Sequence, residues 1–142
     1  MNILLVEDNP ADVRLIREAL AEGQVPAQLH WLSSGEEALR FLRRGDGHEQ
    51  APRPDLVLLD LNLPGLSGLE VLARIKADPL LLPTPVVVLT SSTSTADVMA
   101  AYQAHVNAYL RKPADYDEFL ALASSIHDYW LTSVVLPTRL PA

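Results

Sequence analysis

The stretch LVLLD, residues 56–60, decides the fold of this chain. Its four consecutive apolar residues show no polar alternation, which is typical of a central parallel strand covered by helices on both faces. Asp60 then places a charge directly after a strand that is expected to be buried. We therefore expect residues 56–59 to form an inner strand and Asp60 to serve a function.

On both sides of this stretch, short apolar runs alternate with longer segments of helical period. This alternation is typical of βαβ units and predicts an α/β domain with a parallel sheet. Five strand–helix pairs can be counted, with strands near residues 2–6, 28–32, 56–59, 86–89 and 108–110. Residues suited to helix N-caps precede the predicted helices: Asn9, Ser34, Ser67, Ser94 and Asp115.

The composition excludes several functional classes. The 142 residues include 18 acidic and 11 basic side chains, for a net charge of −7, so binding to phosphate backbones or anionic lipid is disfavoured. No cysteine is present, which excludes disulfides and thiolate metal sites. No segment approaches the ~18 apolar residues of a membrane span. We expect a single soluble domain in the cytoplasm.

Polar side chains follow four of the five predicted strands. Glu7 and Asp8 follow the first strand, Asp60 the third, Thr90 the fourth and Lys112 the fifth. Ligands of open parallel sheets bind beyond the carboxyl ends of the strands, where these side chains meet. The sequence therefore predicts three carboxylates, a hydroxyl and an ammonium around one crevice.

These groups suit a phosphoryl acceptor. Two carboxylates ~4 Å apart repel by ~4 kcal/mol at an effective dielectric of ~20, and Mg²⁺, which prefers oxygen ligands, would offset that repulsion. Zn²⁺ is disfavoured because the four histidines lack ligand spacing. Asp60 is the natural nucleophile, while Mg²⁺ and Lys112 would neutralise charge on the transferred group and Thr90 would donate a hydrogen bond to it.

The chain resembles the receiver domains of response regulators in two-component signalling. The resemblance rests on four motifs in order: ILLVEDN (3–9), LVLLDLNLPGLSGLE (56–70), VVVLTSS (86–92) and AYLRKP (108–113). It implies a flavodoxin-like, three-layer (βα)5 fold with strand order 2-1-3-4-5. It also implies a receiver at residues 1–132, a C-terminal tail at 133–142 and no separate output domain.

The same resemblance implies a role for each residue of the crevice. Asp60 would accept a phosphoryl group from a phosphohistidine of a sensor histidine kinase or of a phosphotransfer protein. Asp8, Asp60 and the backbone carbonyl of Asn62 would bind Mg²⁺, with Glu7 acting mainly through a bound water. The domain would be a phosphoacceptor that promotes its own phosphorylation and dephosphorylation, rather than an enzyme acting on other substrates.

Further residues gain roles from the resemblance alone. Thr90, Lys112 and the backbone N–H of Ser91 would hold the phosphoryl oxygens. Pro113 would follow a cis peptide bond that aims Lys112 at Asp60. Tyr109 would be the aromatic switch residue, turning inward when Thr90 moves. The face formed by the fourth helix, fifth strand and fifth helix would then carry the signal to a protein partner.

Other functional classes use similar residues. A phosphatase of the haloacid dehalogenase type also has an aspartate nucleophile after a parallel strand, but it needs a second aspartate two residues later, where this chain has Asn62. The interpretation as a nucleotide-binding Rossmann-like domain has less support, since neither G-x-G-x-x-G nor a Walker A motif follows any strand. A docking-only pseudo-receiver is the third alternative.

The C-terminal segment YWLTSVVLP, residues 129–137, is more apolar than a domain end requires. It can fold back on its own core or pack on a second subunit. The last helix places Phe119, Leu122, Ala123 and Ile126, with Tyr129 or Trp130, on its core side. The ending SIHDYWLTSVVLP (125–137), together with the start NPADVRLIREAL (9–20), is similar to small phytochrome-associated response regulators. This resemblance implies a homodimer and a bacterial phytochrome as the kinase partner.

Overall fold

The computed structural model describes residues 1–140 and contains one five-stranded parallel sheet. Its strand order, β2-β1-β3-β4-β5, confirms the predicted receiver topology. The strands are β1 (Asn2–Val6), β2 (Gln28–Leu32), β3 (Leu56–Leu59), β4 (Val86–Thr90) and β5 (Ala108–Arg111). The parallel order places the carboxyl ends of all five strands at one edge.

Helices connect the strands and cover both faces of the sheet. Each predicted N-cap side chain accepts a hydrogen bond from a backbone N–H in the first turn, which satisfies a donor that the helix itself leaves free. The helices are α1 (Pro10–Glu22), α2 (Gly35–Arg43), α3 (Gly68–Ala77), α4 (Thr95–Gln103) and α5 (Tyr116–Ser125).

The strand that decides the fold divides the core into two halves. Val57 and Leu59 of β3 pack on the side of α2 and α3, whereas Leu56 and Leu58 pack on the side of α1 and α5. All four side chains are buried. This two-sided burial confirms the three-layer arrangement and accounts for the wholly apolar sequence of β3 before Asp60.

Helix α4 contributes one fully buried side chain to the core. It ends at Gln103, shortly before His105, which has a positive φ of 69°. Ala101 is fully buried, whereas the neighbouring Tyr102 is 50% exposed. The helix is therefore anchored mainly through a small side chain.

A π-helix (Ile126–Ser133) continues α5. Its i→i+5 hydrogen bonding, seen between Val134 N–H and the Tyr129 carbonyl at 2.8 Å, changes the side-chain phase from the 3.6-residue period that the sequence suggests. Trp130 packs against the core on the α1 side, while Tyr129 is 58% exposed. The structure thus resolves the predicted choice between these two aromatic residues in favour of Trp130.

The C-terminal tail folds back along the amino-terminal ends of the strands. Leu136 is only 2% exposed, and the Thr138 hydroxyl donates a hydrogen bond to the Asp55 carboxylate. Asp55 also accepts a bond from the Asn2 N–H at 2.8 Å. The tail contains a 3₁₀ turn (Pro137–Arg139). Within residues 1–140, no helix is long and apolar enough to cross a membrane.

Candidate functional site

Three acidic side chains converge at the carboxyl edge of the sheet, as predicted. Glu7 and Asp8 follow β1, and Asp60 follows β3. One oxygen of each carboxylate lies within 4.8 Å of an oxygen of the other two. Glu7 and Asp60 are buried, at 1% and 4% exposure, whereas Asp8 is exposed. We call these three side chains, two buried and one exposed, the acidic pocket.

Lys112 joins this cluster from the end of β5. Its backbone N–H donates to the Thr90 carbonyl at 2.8 Å, which continues the pairing of β4 with β5. Its Nζ lies 2.8 Å from Glu7 Oε2, 3.0 Å from Asp60 Oδ2 and 2.8 Å from Asp12 Oδ2. The ammonium therefore has three carboxylate partners.

The expectation of a cis bond before Pro113 is wrong in this structure, since the Lys112–Pro113 peptide bond is trans. The Lys112 side chain nevertheless points at Asp60. Backbone pairing with Thr90 fixes the start of this side chain, and ion pairs with the carboxylates fix its end.

Burial and the contacts of Lys112 together set the pKa values in the pocket. The pKa of Glu7 is raised to about 7, chiefly by burial and also by the nearby Asp60 carboxylate, although hydrogen bonds from Lys112 and the Asn9 N–H oppose the shift. Burial lowers the pKa of Lys112, but its hydrogen bonds to Asp12, Glu7 and Asp60 outweigh that effect and raise it overall. The single Lys112 ammonium therefore contacts three carboxylates and cannot neutralise all of their negative charge.

The donor set suits a hard divalent cation. All three convergent side chains offer carboxylate oxygen, the ligand that Mg²⁺ prefers. A cation placed here would also favour the charged form of Glu7, which burial disfavours.

Backbone contacts shape the loops around Asp60. The Asn62 N–H donates to Asp60 Oδ1 at 3.2 Å, which restrains the carboxylate. A Cβ on Gly68 would lie 2.1 Å from the Asp60 carbonyl oxygen. Only glycine permits the first residue of α3 to approach Asp60 this closely.

Thr90 and Tyr109 lie beside the pocket on adjacent strands. Thr90 is fully buried at the end of β4, and Ser91 after it is exposed. The half-buried Tyr109 donates its hydroxyl proton to the Ser92 carbonyl at 3.1 Å. Ser92 Oγ is in turn 2.5 Å from Asp97 Oδ2 in α4. The ring of Tyr109 is thus connected to the loop that follows Thr90.

Sequence reasoning missed two residues of this site. Asp12 lies in the first turn of α1, close in sequence to Glu7 and Asp8, and this proximity was the available signal. Trp31 donates its indole N–H to the Glu7 carbonyl at 2.7 Å, and the Arg17 guanidinium lies 5.9 Å from its ring. Trp31 comes from β2, so no local pattern identifies it.

The fold and the site together define an α/β domain with three converging carboxylates and a lysine at its strand ends. Residues 3–124 match the response regulator receiver domain family, and the chain belongs to that family. It is therefore a receiver domain of two-component signalling. This assignment favours neither the phosphatase nor the pseudo-receiver alternative.

Individual relatives match along nearly their full length. The response regulator Rcp1 of Synechocystis sp. is 46% identical over 135 residues, which are 95% of this chain and 92% of Rcp1. The phosphorylated cyanobacterial phytochrome response regulator RcpA is 46% identical with a TM-score of 0.90, covering 96% of this chain and 97% of RcpA. The Mn²⁺-bound form of Rcp1 has a TM-score of 0.88 at 46% identity and covers 96% and 98% of the two chains.

Proposed function

We propose that this chain accepts a phosphoryl group on Asp60 from a phosphohistidine of a sensor histidine kinase. The observation that carries the proposal is the position of the Asp60 carboxylate. It is buried, lies 3.0 Å from the Lys112 ammonium and converges with the Glu7 and Asp8 carboxylates. A carboxylate in this setting is an oxygen nucleophile with cationic groups beside the incoming phosphorus.

In the proposed reaction, an Asp60 oxygen forms a bond to phosphorus as the P–N bond of the donor breaks and the imidazole leaves. Lys112, the Thr90 hydroxyl and the Ser91 N–H donate hydrogen bonds to the phosphoryl oxygens. Later attack by water on the phosphorus breaks the acyl phosphate, releases inorganic phosphate and restores Asp60. The domain thus promotes its own phosphorylation and dephosphorylation.

Mg²⁺ is the proposed cofactor, held by Asp8, Asp60, the Asn62 carbonyl and, less directly, Glu7. The all-oxygen donor set supports this choice, as does the Mn²⁺-bound structure of Rcp1. The cation supplies charge neutralisation at the phosphoryl oxygens.

The output is proposed to pass through the face formed by α4, β5 and α5. Thr90 moves towards the phosphoryl group, and Tyr109 follows because its hydroxyl is bound to the loop after Thr90. This loop also contacts α4 through Ser92 and Asp97. A change at Asp60 can therefore reach the surface of α4 by direct contacts.

A phytochrome is the proposed kinase partner, because the similar RcpA is described as a cyanobacterial phytochrome response regulator. Mixing the phosphorylated kinase with this chain and following loss of the kinase phosphate tests the pairing. A cytoplasmic location is part of this proposal, and cell fractionation tests it.

We also propose a homodimer formed through the last helices and the tail. A groove of about 570 Å³ lies between β5 and the α5/π-helix segment, lined by apolar side chains including Leu110, Ile126 and Trp130. Tyr129 on its border is 58% exposed, and Val135 in the tail is 78% exposed. Exposed apolar surface of this kind is typical of an interface. Light scattering that shows a monomer both with and without a phosphoryl mimic would contradict the dimer.

The phosphoacceptor proposal is tested with acetyl phosphate, Mg²⁺ and intact-mass spectrometry. We expect the wild type to gain one phosphoryl group, which base removes and which chelation of Mg²⁺ prevents. Asp60→Asn should gain none. Asp117→Asn is the matched control, since it removes an equivalent charge from an exposed position in the first turn of α5. An unmodified wild type, or equal modification of Asp60→Asn, would overturn the proposal.

A further inference from the structure

The third acidic partner of Lys112 differs from the other two. Glu7 and Asp60 follow strands and have 1% and 4% exposed side chains, whereas Asp12 lies in α1 with a 21% exposed side chain. Asp12 is also outside the group of carboxylates that converge as a cation site. It therefore contacts the ammonium from the solvent side and has no place in the proposed Mg²⁺ site.

The contacts of Lys112 Nζ indicate what Asp12 does. An ammonium has three N–H donors, and Nζ has three carboxylate oxygens at 2.8–3.0 Å. To bind a phosphoryl oxygen on Asp60, it has to give up one of these partners. Glu7 and Asp60 are the two that the cation site also uses, so Asp12 is the partner that Lys112 can keep.

We propose that Asp12 is a positioning residue for Lys112, holding its ammonium beside Asp60 while it exchanges a carboxylate oxygen for a phosphoryl oxygen. This inference rests on the proposed phosphoacceptor function. Asp12 touches neither the phosphorus nor the cation and acts only through Lys112. The acceptor oxygen of Asp12 is the required feature, because it restrains a side chain with four rotatable bonds.

Two substitutions separate this role from the charge of Asp12. Asp12→Asn keeps an acceptor oxygen at the same place, whereas Asp12→Ala removes it, and both remove one negative charge. Any difference between the two variants therefore reports the acceptor. Asp117→Asn again controls for the change in net charge at a helix start.

The first measurement uses the unphosphorylated protein and is independent of the proposed function. The chain has only two lysines, Lys76 and Lys112, so ¹⁵N-lysine labelling gives two assignable ammonium signals. Lys76 Nζ, bound by three oxygens far from Asp12 in sequence, is the internal reference. We expect exchange of the Lys112 ammonium protons with water to accelerate about tenfold in Asp12→Ala and to change little in Asp12→Asn.

The second measurement is the affinity for beryllofluoride, a phosphoryl mimic, in the presence of Mg²⁺. Asp12→Asn should bind at least as tightly as wild type, and Asp12→Ala about fivefold more weakly than Asp12→Asn. Equal behaviour of the two variants in either measurement would overturn the positioning role. Failure of all three proteins to bind the mimic would instead count against the proposed function, and the exchange rates would then decide the role of Asp12.

Discussion

The acidic pocket at the end of the sheet holds more negative charge than Lys112 neutralises. Glu7 and Asp60 are buried and depend on the same ammonium for an ion pair. Burial of an unpaired charge is costly, so these carboxylates are expected to make the strand ends electrostatically strained without a cation. The proposed Mg²⁺ would relieve this repulsion and stabilise the folded chain.

This arrangement predicts the effect of removing the lysine. Lys112→Met should lower the free energy of unfolding by about 3 kcal/mol in Mg²⁺-free buffer, because it breaks buried ion pairs and leaves the carboxylates behind. Mg²⁺ should restore more stability to this variant than to wild type, since the freed carboxylates bind the cation more tightly. Urea unfolding with and without Mg²⁺ measures both effects.

The control is Arg111→Met, which removes an exposed positive charge from the neighbouring position. It should change stability by less than about 0.5 kcal/mol. If Lys112→Met matched this control, the ion pairs of Lys112 would not stabilise the folded chain.

Helix α3 begins in close contact with the Asp60 backbone, and this contact predicts the effect of a substitution at Gly68. Alanine favours helix over glycine by about 1 kcal/mol, yet Gly68→Ala should destabilise the protein. Its Cβ would lie 2.1 Å from the Asp60 carbonyl oxygen, so α3 or the Asp60 loop must move. Gly45→Ala is the matched control, because a Cβ on Gly45 would lie 3.8 Å from its nearest neighbour, the Arg40 carbonyl oxygen. Thermal unfolding compares the two, and a stabilised Gly68→Ala would contradict the close approach.

The π-helix makes a second prediction at this scale. Trp130 packs on the core and Tyr129 does not, so Trp130→Ala should cost about 1–3 kcal/mol of unfolding free energy, while Tyr129→Ala should cost little. Tyr129→Ala should instead weaken self-association if the proposed dimer forms. Denaturant unfolding and light scattering separate the two effects, and equal destabilisation by both substitutions would argue for an ordinary α-helical phase.

Most helices and strands could be predicted from local sequence signals. Contacts between segments distant in sequence could not. Ser34 and Ser67 predict the starts of their helices, because an N-cap side chain bonds a backbone N–H within the first turn. The π-helix escaped prediction because its i→i+5 bonding has no signature in a 3.6-residue pattern. The Lys112 contact with Asp12 joins residues 100 positions apart, and only the folded sheet brings them together.

At the scale of the whole molecule, the tail connects the last helix to the opposite pole of the sheet from the acidic pocket. Leu136 is buried there and Val135 beside it is 78% exposed. Leu136→Ala should therefore lower the free energy of unfolding by about 2–3 kcal/mol, and Val135→Ala by much less. Denaturant unfolding provides the comparison. Equal, small effects would show that the tail is not part of the folded core.

The overall organisation of the molecule could be predicted from the order of the strands along the chain and from the residue that follows each strand. The positions of Glu7, Asp60, Thr90 and Lys112 at strand ends predicted one shared site, because parallel strands end at one edge. The direction of the tail could not be predicted, since its apolar residues suit its own core and a partner equally. The proposed boundary between residues 132 and 133 stays a prediction, although Leu136 packs on the same domain.

The most direct test of the account is the identity of the carboxylate that carries the phosphoryl group. Acyl phosphate formed with acetyl phosphate and Mg²⁺ can be reduced with borohydride, which converts the modified aspartate to homoserine, and peptide sequencing by mass spectrometry then locates it. We predict homoserine at position 60 alone. Modification at Asp8 or Asp12, with Asp60 unchanged, would contradict the account.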